Sequence, residues 1–242
     1  MSRTLVLTYH ALEAGPAPLF CDPVLFAQHV DVTRDAGAAL LTVSELAAAL
    51  RGGTLPECAV ALTFDDGYAS IRAAADHGVV GTVFAIARRL GGSNDWPSQP
   101  AHVPRRPLAD AAQLRELASA GWEIGSHGLD HVGVASVSAL GESRTVLEGA
   151  VGVSVRSFAY PYGVVPPGTA PQRAGYDAAV TTRLAPVTAS ADAYALPRVD
   201  AHYLRRPALL RAALGGKLDL YFRVRGAGAN IRRLMRKDYV AV

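Results

Sequence analysis

The sequence predicts a single-domain α/β barrel of parallel strands, on three observations. Strand-like apolar runs alternate with helix-like segments along most of the chain, and a βα alternation builds parallel sheet. The 242 residues suit one such barrel. Half of them are hydrophobic, which supports a sizeable core.

The elements follow in order. Leu5–Thr8 reads as a first strand, followed by a Pro/Gly loop at Gly15–Pro18. Asp22-Pro23 opens a helix to about Ala36, with Pro at its first position. Thr42-Val43-Ser44-Glu45 is a capping box for a second helix ending at Gly52. Val60–Phe64 is a buried strand, and Ala69–His77 a helix ended by Gly78. Thr82–Ala87 is another strand. Residues 91–107 form a polar, Gly/Pro-rich loop. Its Trp96 can stack on a sugar ring and its Arg105 or Arg106 can meet a phosphate; the plainer reading is a solvated connector with one packed aromatic. Leu108–Ala120 is an amphipathic helix, with Leu108, Ala111, Leu114 and Leu117 on one stripe. Trp122–Gly125 is a strand, Ala139–Ala150 a helix, Ser157–Tyr160 the strand before a Pro161-Tyr162 turn, and Ala178–Thr181 a further strand.

Chemistry-bearing residues fall at the ends of these strands. Asp65-Asp66-Gly67 follows Val60–Phe64, and His127-x-x-x-His131 follows Trp122–Gly125. A divalent ion that hydrolyses an amide or ester keeps one position open, so three protein ligands serve it better than four. Two His and a carboxylate meet that need. His at i and i+4 reach one ion from a helical turn or a tight loop. Neighbouring side chains diverge, so one Asp can bind metal while the other accepts a proton. Each motif alone is commonplace: Asp-Asp-Gly after a strand is often a capped turn. Their joint placement is what points to a site.

Thr63-Phe64-Asp65-Asp66-Gly67 and Ser126-His127-Gly128-Leu129-Asp130-His131 resemble the first two motifs of the polysaccharide deacetylase family (carbohydrate esterase family four). Phe158-Ala159-Tyr160-Pro161-Tyr162-Gly163 resembles its third. The resemblance spans roughly residues 4–200. It implies a distorted (β/α)7-type barrel, a Zn²⁺-type ion, and removal of acetyl groups from sugars. By motif position it makes Asp65 the general base, and Asp66, His127 and His131 the metal ligands. Tyr162 would lend its backbone N–H to the oxyanion.

Several positions depart from the family pattern. An Arg commonly stands two residues before the third-motif Pro and steadies the base; here that position is Ala159, and Arg198 in Leu196-Pro197-Arg198-Val199-Asp200 is the candidate replacement. A Ser or Thr commonly follows the first His; here it is Gly128. The late Leu-x-His motif that supplies the general acid is not evident, and His202 lies near its region in a different local pattern. The opening Thr4–His10 segment resembles the branch that deacetylates poly-N-acetylglucosamine, where an early Tyr-His brings in the acid. Position supports His10 independently, since it falls just past the carboxyl end of the first strand, where a parallel barrel carries its chemistry.

Composition narrows the classes. No run of eighteen apolar residues suggests a membrane span. Met1-Ser2-Arg3 runs straight into the first strand, which points to a cytoplasmic protein or to a trimmed leader. Cys21 and Cys58 read as buried or incidental thiols, not a disulfide framework. Arg outnumbers Lys 22 to 2, with no groove-reading motif, so nucleic acid is not an expected partner. Residues 1–202 form the expected catalytic barrel and 203–242 a basic helical extension packed on it. That extension holds ten Arg or Lys and two Asp, a net of +8 in a chain of net +3. It suits a solvated helix on the barrel, or contact with an anionic membrane or a lipid-linked substrate.

The expected activity is metal-dependent hydrolysis of the N-acetyl group of an acetylated amino sugar: an oligo- or polysaccharide, a lipid-linked sugar or an aminosugar glycoside. Zn²⁺ is the first choice of ion, with Co²⁺, Ni²⁺ or Fe²⁺ acceptable to the same ligands. A metal-dependent hydrolase of a non-sugar amide or imide, and a catalytically silent sugar binder, are the alternatives. Nothing in the sequence sets an oligomeric state.

Overall fold

The computed structural model describes residues 3–133, 136–165 and 170–226. Seven parallel strands run around a barrel in the order β10 (Val199–Asp200), β1 (Thr4–Tyr9), β5 (Ala59–Phe64), β6 (Thr82–Ala85), β7 (Glu123–Ser126), β8 (Ser157–Ala159) and β9 (Ala178–Val180). Two-residue strands β2 (Ala11–Leu12) and β3 (Phe20–Cys21) pair outside it. Strand β4 (Ala39–Leu40) pairs with the first half of β5, leaving Thr63 and Phe64 of β5 to pair with β6. Between β9 and β10 the wall is completed by Leu196–Arg198. The Leu196 N–H donates to Ala179, its carbonyl accepts from Thr181, and the Arg198 N–H donates to the Arg183 carbonyl.

Alternate residues of the strands fill two cores. Val6, Ala61, Phe84, Ala159, Val180 and Leu196 point into the barrel. Leu5, Leu7, Leu62, Phe64, Val83, Ile124 and Phe158 point out against helices. Inside, small Ala61 and Ala159 leave room for Phe84.

The helices are α1 (Pro23–Asp35), α2 (Val43–Gly52), α3 (Ala111–Ser119), α4 (Val137–Val151), α5 (Ala170–Arg173) and α6 (Pro207–Leu214). Helix α1 begins at Pro23 as expected, with Asp22 as its cap. Helix α2 carries the expected capping box, Thr42 with Glu45, and ends at Gly53 in the left-handed conformation. It does not lie on the outside. Val43, Leu46 and Ala47 belong to the interior core, so α2 plugs the amino-terminal mouth of the barrel. Its Ser44 backbone N–H and hydroxyl both donate to Glu123 at the start of β7, as does Thr82. The expected helix at Ala69–His77 is a 3-10 segment, and the one at Leu108–Ala120 starts at Ala111, with Asp110 and Gln113 forming a second capping box.

Helix α6 packs through Leu210, Ala213 and Leu214 into the outer core, which also includes Leu204 and Phe222. Residues 219–226 are helical, and the rest of the predicted extension, 227–242, lies outside the described residues. Cys21 and Cys58 are free thiols. Burial, assisted by nearby Asp22, pushes Cys21 up to about 12, which keeps it protonated and unreactive. Among the described residues no helix is long and apolar enough to cross a membrane.

Candidate active site

At the carboxyl-terminal mouth, β5 delivers two adjacent carboxylates to one cavity. Asp65 continues the sheet, its N–H donating to the Tyr9 carbonyl at 2.9 Å. Asp66 then turns into the left-handed region (φ 66°), and Gly67 follows it there (φ 72°). The chain thus reverses over two residues, and the first is not glycine. A Cβ on Gly67 would press on the Ala85 backbone at 3.3 Å, so the second must be glycine. His131 (φ 60°) and Tyr162 (φ 57°) are the other non-glycine residues with positive φ among the described residues. All three sit in this one mouth. Each such residue costs about 1–3 kcal/mol, and such strain gathers at functional sites.

His127 leaves β7 with its N–H on the Ala85 carbonyl. His131 is reached by a loop, not a helical turn. Gly128 (φ 84°) bends away, its carbonyl and that of Leu129 accept the Ala87 and Arg88 N–H groups, and the loop docks on the 3-10 segment Ala87–Arg89. The left-handed backbone at Gly128 suits glycine.

The two imidazoles converge on Asp66. His127 Nε2 lies 3.4 Å and His131 Nε2 3.2 Å from Asp66 Oδ1, and all three residues are buried. One donor atom from each falls within 4.8 Å of the others. His127 Nδ1 sits 2.9 Å from the Ala159 carbonyl, which can only accept, so Nδ1 carries the hydrogen and Nε2 presents a lone pair inward. His131 Nδ1 meets the Tyr162 hydroxyl at 2.8 Å, and that hydroxyl also meets Ser98. Asp66 Oδ1 is buried without a hydrogen-bond partner. Between that oxygen and each imidazole Nε2 the favourable occupant is a cation, either a proton on the ring or a metal ion shared by all three groups. The donor set therefore fits a divalent ion with room for further ligands.

Electrostatics agree with that demand for positive charge. Burial pushes the Asp66 carboxyl up, but His131 and His127 outweigh it and hold it well below the usual carboxylate range. Burial pulls both histidines down. His127 nonetheless ends above the ordinary imidazole value, through Asp66 and Asp65, while His131 ends below it.

Asp65 is paired differently. Arg198 grips it through two parallel bonds, Nη1 to Oδ1 at 2.6 Å and Nη2 to Oδ2 at 2.7 Å. The guanidinium is itself fixed by the Thr181 carbonyl and the Thr63 hydroxyl, and it is 2% exposed. Burial raises Asp65, but Arg198 and then His127 outweigh it, and the carboxyl stays ionised below its ordinary range. Ala159 is buried in the barrel interior, and the arginine contact to Asp65 comes from the far side of the closed wall instead.

Sequence comparison decides the family. The profile of the family described as polysaccharide deacetylase matches residues 52–179, more than half of the chain. This chain belongs to the polysaccharide deacetylase family. The Bacillus subtilis protein YxkH, named for the same family, is 26% identical over 208 residues, 80% of this chain and 70% of its own length. Among solved structures, IcaB from Ammonifex degensii superposes with a TM-score of 0.71 at 23% identity, over 88% of this chain and 98% of that one. The Streptococcus pyogenes deacetylase PplD, solved with acetate, superposes with a TM-score of 0.69 at 22% identity, over 82% and 92%. These structural likenesses establish the shared (β/α)7-type fold.

In this polysaccharide deacetylase family member the mouth opens into a cavity of about 1250 Å³ lined by Asp65, Asp66, His127, His131, Tyr162 and Arg198. His10 lines it too, partly buried, with a buried Nδ1 that makes no hydrogen bond. His202 is not among the lining residues; it follows Asp200, which caps the 3-10 segment Ala201–Leu204. Asp200 is a lining residue that the sequence did not single out. It sits across from Thr8 in the β1–β10 register, near His10. Burial raises its pKa, with His10 opposing. The available signal was its place at the end of a late strand-like Val-Asp. Trp96 is buried, its ring 4.4 Å from that of His131, so it braces the site more than it offers an open sugar platform. Arg106 is occupied by Glu13 at 3.0 Å.

Proposed function

We propose that this chain is a metal-dependent deacetylase that hydrolyses the N-acetyl group of an acetylated amino sugar to free amine and acetate. The observation that carries this reading is the buried Asp66–His127–His131 cluster, with an unsatisfied carboxylate oxygen at its centre, beside a second carboxylate locked by Arg198. IcaB and PplD share the fold, and PplD is a deacetylase solved with acetate.

Asp66, His127 and His131 would hold the ion. When bound, a Zn²⁺-type ion acidifies water and polarises the acetyl carbonyl; Co²⁺, Ni²⁺ and Fe²⁺ suit the same donors. Asp65 accepts the proton of the attacking water. Arg198 keeps that carboxylate ionised and oriented, its two parallel bonds leaving little rotational freedom. Water adds to the acetyl carbon and the C–N bond breaks. The Tyr162 backbone N–H donates to the oxyanion, a type of contact worth about 3 kcal/mol. His10 passes a proton to the departing amine. The fixed tautomer of His127 keeps its Nε2 ready for metal.

The test is acetate release from Zn²⁺-reloaded protein on acetylated amino sugars, with Asp65→Asn alongside. Turnover that disappears in Asp65→Asn while metal content persists supports the assignment. Undiminished turnover in that variant refutes the base.

A further inference from the structure

The chamber is larger than a single acetylated sugar requires, since pockets for drug-sized ligands span about 300–1,000 Å³. Its floor and rim differ in chemistry. The acidic lining residues Asp65, Asp66 and Asp200 stand at the ends of β5 and β10. Arg183, just past β9, and Arg223, in the helical residues 219–226, line the same cavity and are exposed. Neither guanidinium makes an ion pair or hydrogen bond with any described residue. By contrast Arg3, Arg89, Arg106 and Arg156 each hold a carboxylate.

Beside Arg223, Leu220 and Val224 stand one helical turn apart, so they share a face. They are 70% and 65% exposed, and both line the cavity. Phe222 on the other face is buried and anchors the stretch. From floor to rim the cavity thus presents hydrolytic groups, then two guanidinium groups without a partner among the described residues and an exposed aliphatic pair. Guanidinium forks bind phosphate bidentately, and an exposed aliphatic stripe next to them favours an alkyl chain.

We propose that the substrate is a lipid-linked amino sugar phosphate: its acetylated sugar enters the floor, its phosphate meets Arg183 and Arg223, and its apolar chain lies on Leu220 and Val224. This rests on the deacetylase reading and narrows its substrate class. A neutral polymer of acetylated sugars would leave both arginines and the aliphatic pair unused.

The test compares four soluble probes with the Zn²⁺-loaded full chain: methyl N-acetylglucosaminide, N-acetylglucosamine 1-phosphate, decyl N-acetylglucosaminide, and the decyl phosphodiester of N-acetylglucosamine. Calorimetric binding of dodecyl phosphate is measured beside them. We expect kcat/KM for the decyl phosphodiester to exceed that for the methyl glycoside by about 100-fold, a gain of two ordinary contacts. Arg183→Gln with Arg223→Gln should remove the phosphate part of the gain, and Leu220→Ser with Val224→Ser the alkyl part. Equal kcat/KM across the probes overturns the proposal and spares the deacetylase reading. A gain from phosphate with none from the alkyl chain also overturns it, in favour of a phosphorylated glycan or nucleotide-linked sugar. If no probe is hydrolysed, the deacetylase reading suffers. Saturable dodecyl phosphate binding that is lost in the double arginine variant then still supports the rim, and its absence overturns the proposal.

Discussion

The two mouths of the barrel each contain a carboxylate at a strand end, and they treat it in opposite ways. At the amino-terminal mouth Glu123 accepts from the Ser44 backbone and hydroxyl and from Thr82, and α2 fills the space above it. At the carboxyl-terminal mouth Asp66 Oδ1 is buried with no hydrogen bond, in a left-handed backbone, facing two imidazoles. A half-buried carboxylate with all its donors in place is a fastener. A buried one without that satisfaction, held at a cost in backbone strain, has a donor set that fits a cation. The same division, stability at one face and chemistry at the other, is general to parallel barrels.

Mutations can break this contrast, and the largest effects belong to the open mouth. His127→Ala should lose bound metal, and turnover should fall by roughly three orders of magnitude or more; metal analysis and acetate release check both. Asp65→Asn should keep its metal and lose about 10²–10⁴-fold in turnover, the usual span for a general base. Arg198→Met strands a buried carboxylate. Unfolding should become easier by about 3–5 kcal/mol, and turnover should fall as Asp65 loses its orientation. Denaturant titration with metal analysis separates this from ligand loss.

Smaller effects belong to the closed regions. Glu123→Gln should cost about 1–2 kcal/mol of stability and leave metal content and kcat unchanged; a change in metal content would erase the distinction between the mouths. His29 gives the smallest effect and a pH signature. It is fully buried, with Nε2 donating to the Leu204 carbonyl and Nδ1 accepting from Tyr9 at 2.8 Å. Burial lowers its pKa, and the Leu204 bond only partly offsets this. The unfolded chain therefore binds a proton at the ordinary imidazole value that the folded chain refuses. Its contribution to stability is full above about pH 6.5 and is lost as pH falls from there toward the depressed folded value. His29→Gln should flatten the unfolding free energy between pH 7 and 5 relative to wild type.

How far the sequence could be read depended on how local each feature is. Pro23 at the first position of α1 and the Thr42–Glu45 box mark their helices through contacts within four residues. The strand-end Asp65-Asp66 and His127-x-x-x-His131 were legible because parallel strands bring their carboxyl ends together whatever the register. Arg198 was legible only as a candidate; its grip on Asp65 spans 133 residues and depends on Leu196–Arg198 closing the wall. Positive φ at Asp66 and His131 leaves no trace in composition. Tyr162 was chosen for its backbone; that its hydroxyl would hold His131 depends on a loop path no spacing rule encodes. The role of α2 as a plug was hidden for the same reason, since an amphipathic helix fits the inside of a mouth as well as the outside of a wall.

The most direct test of the account is acetate release from a panel of acetylated amino sugars, comparing metal-stripped protein with protein reloaded with Zn²⁺ or Co²⁺. The account predicts release only from reloaded protein, with one ion per chain, abolished in His127→Ala. Equal release from stripped and reloaded protein, or none from any sugar with one ion bound, would contradict it.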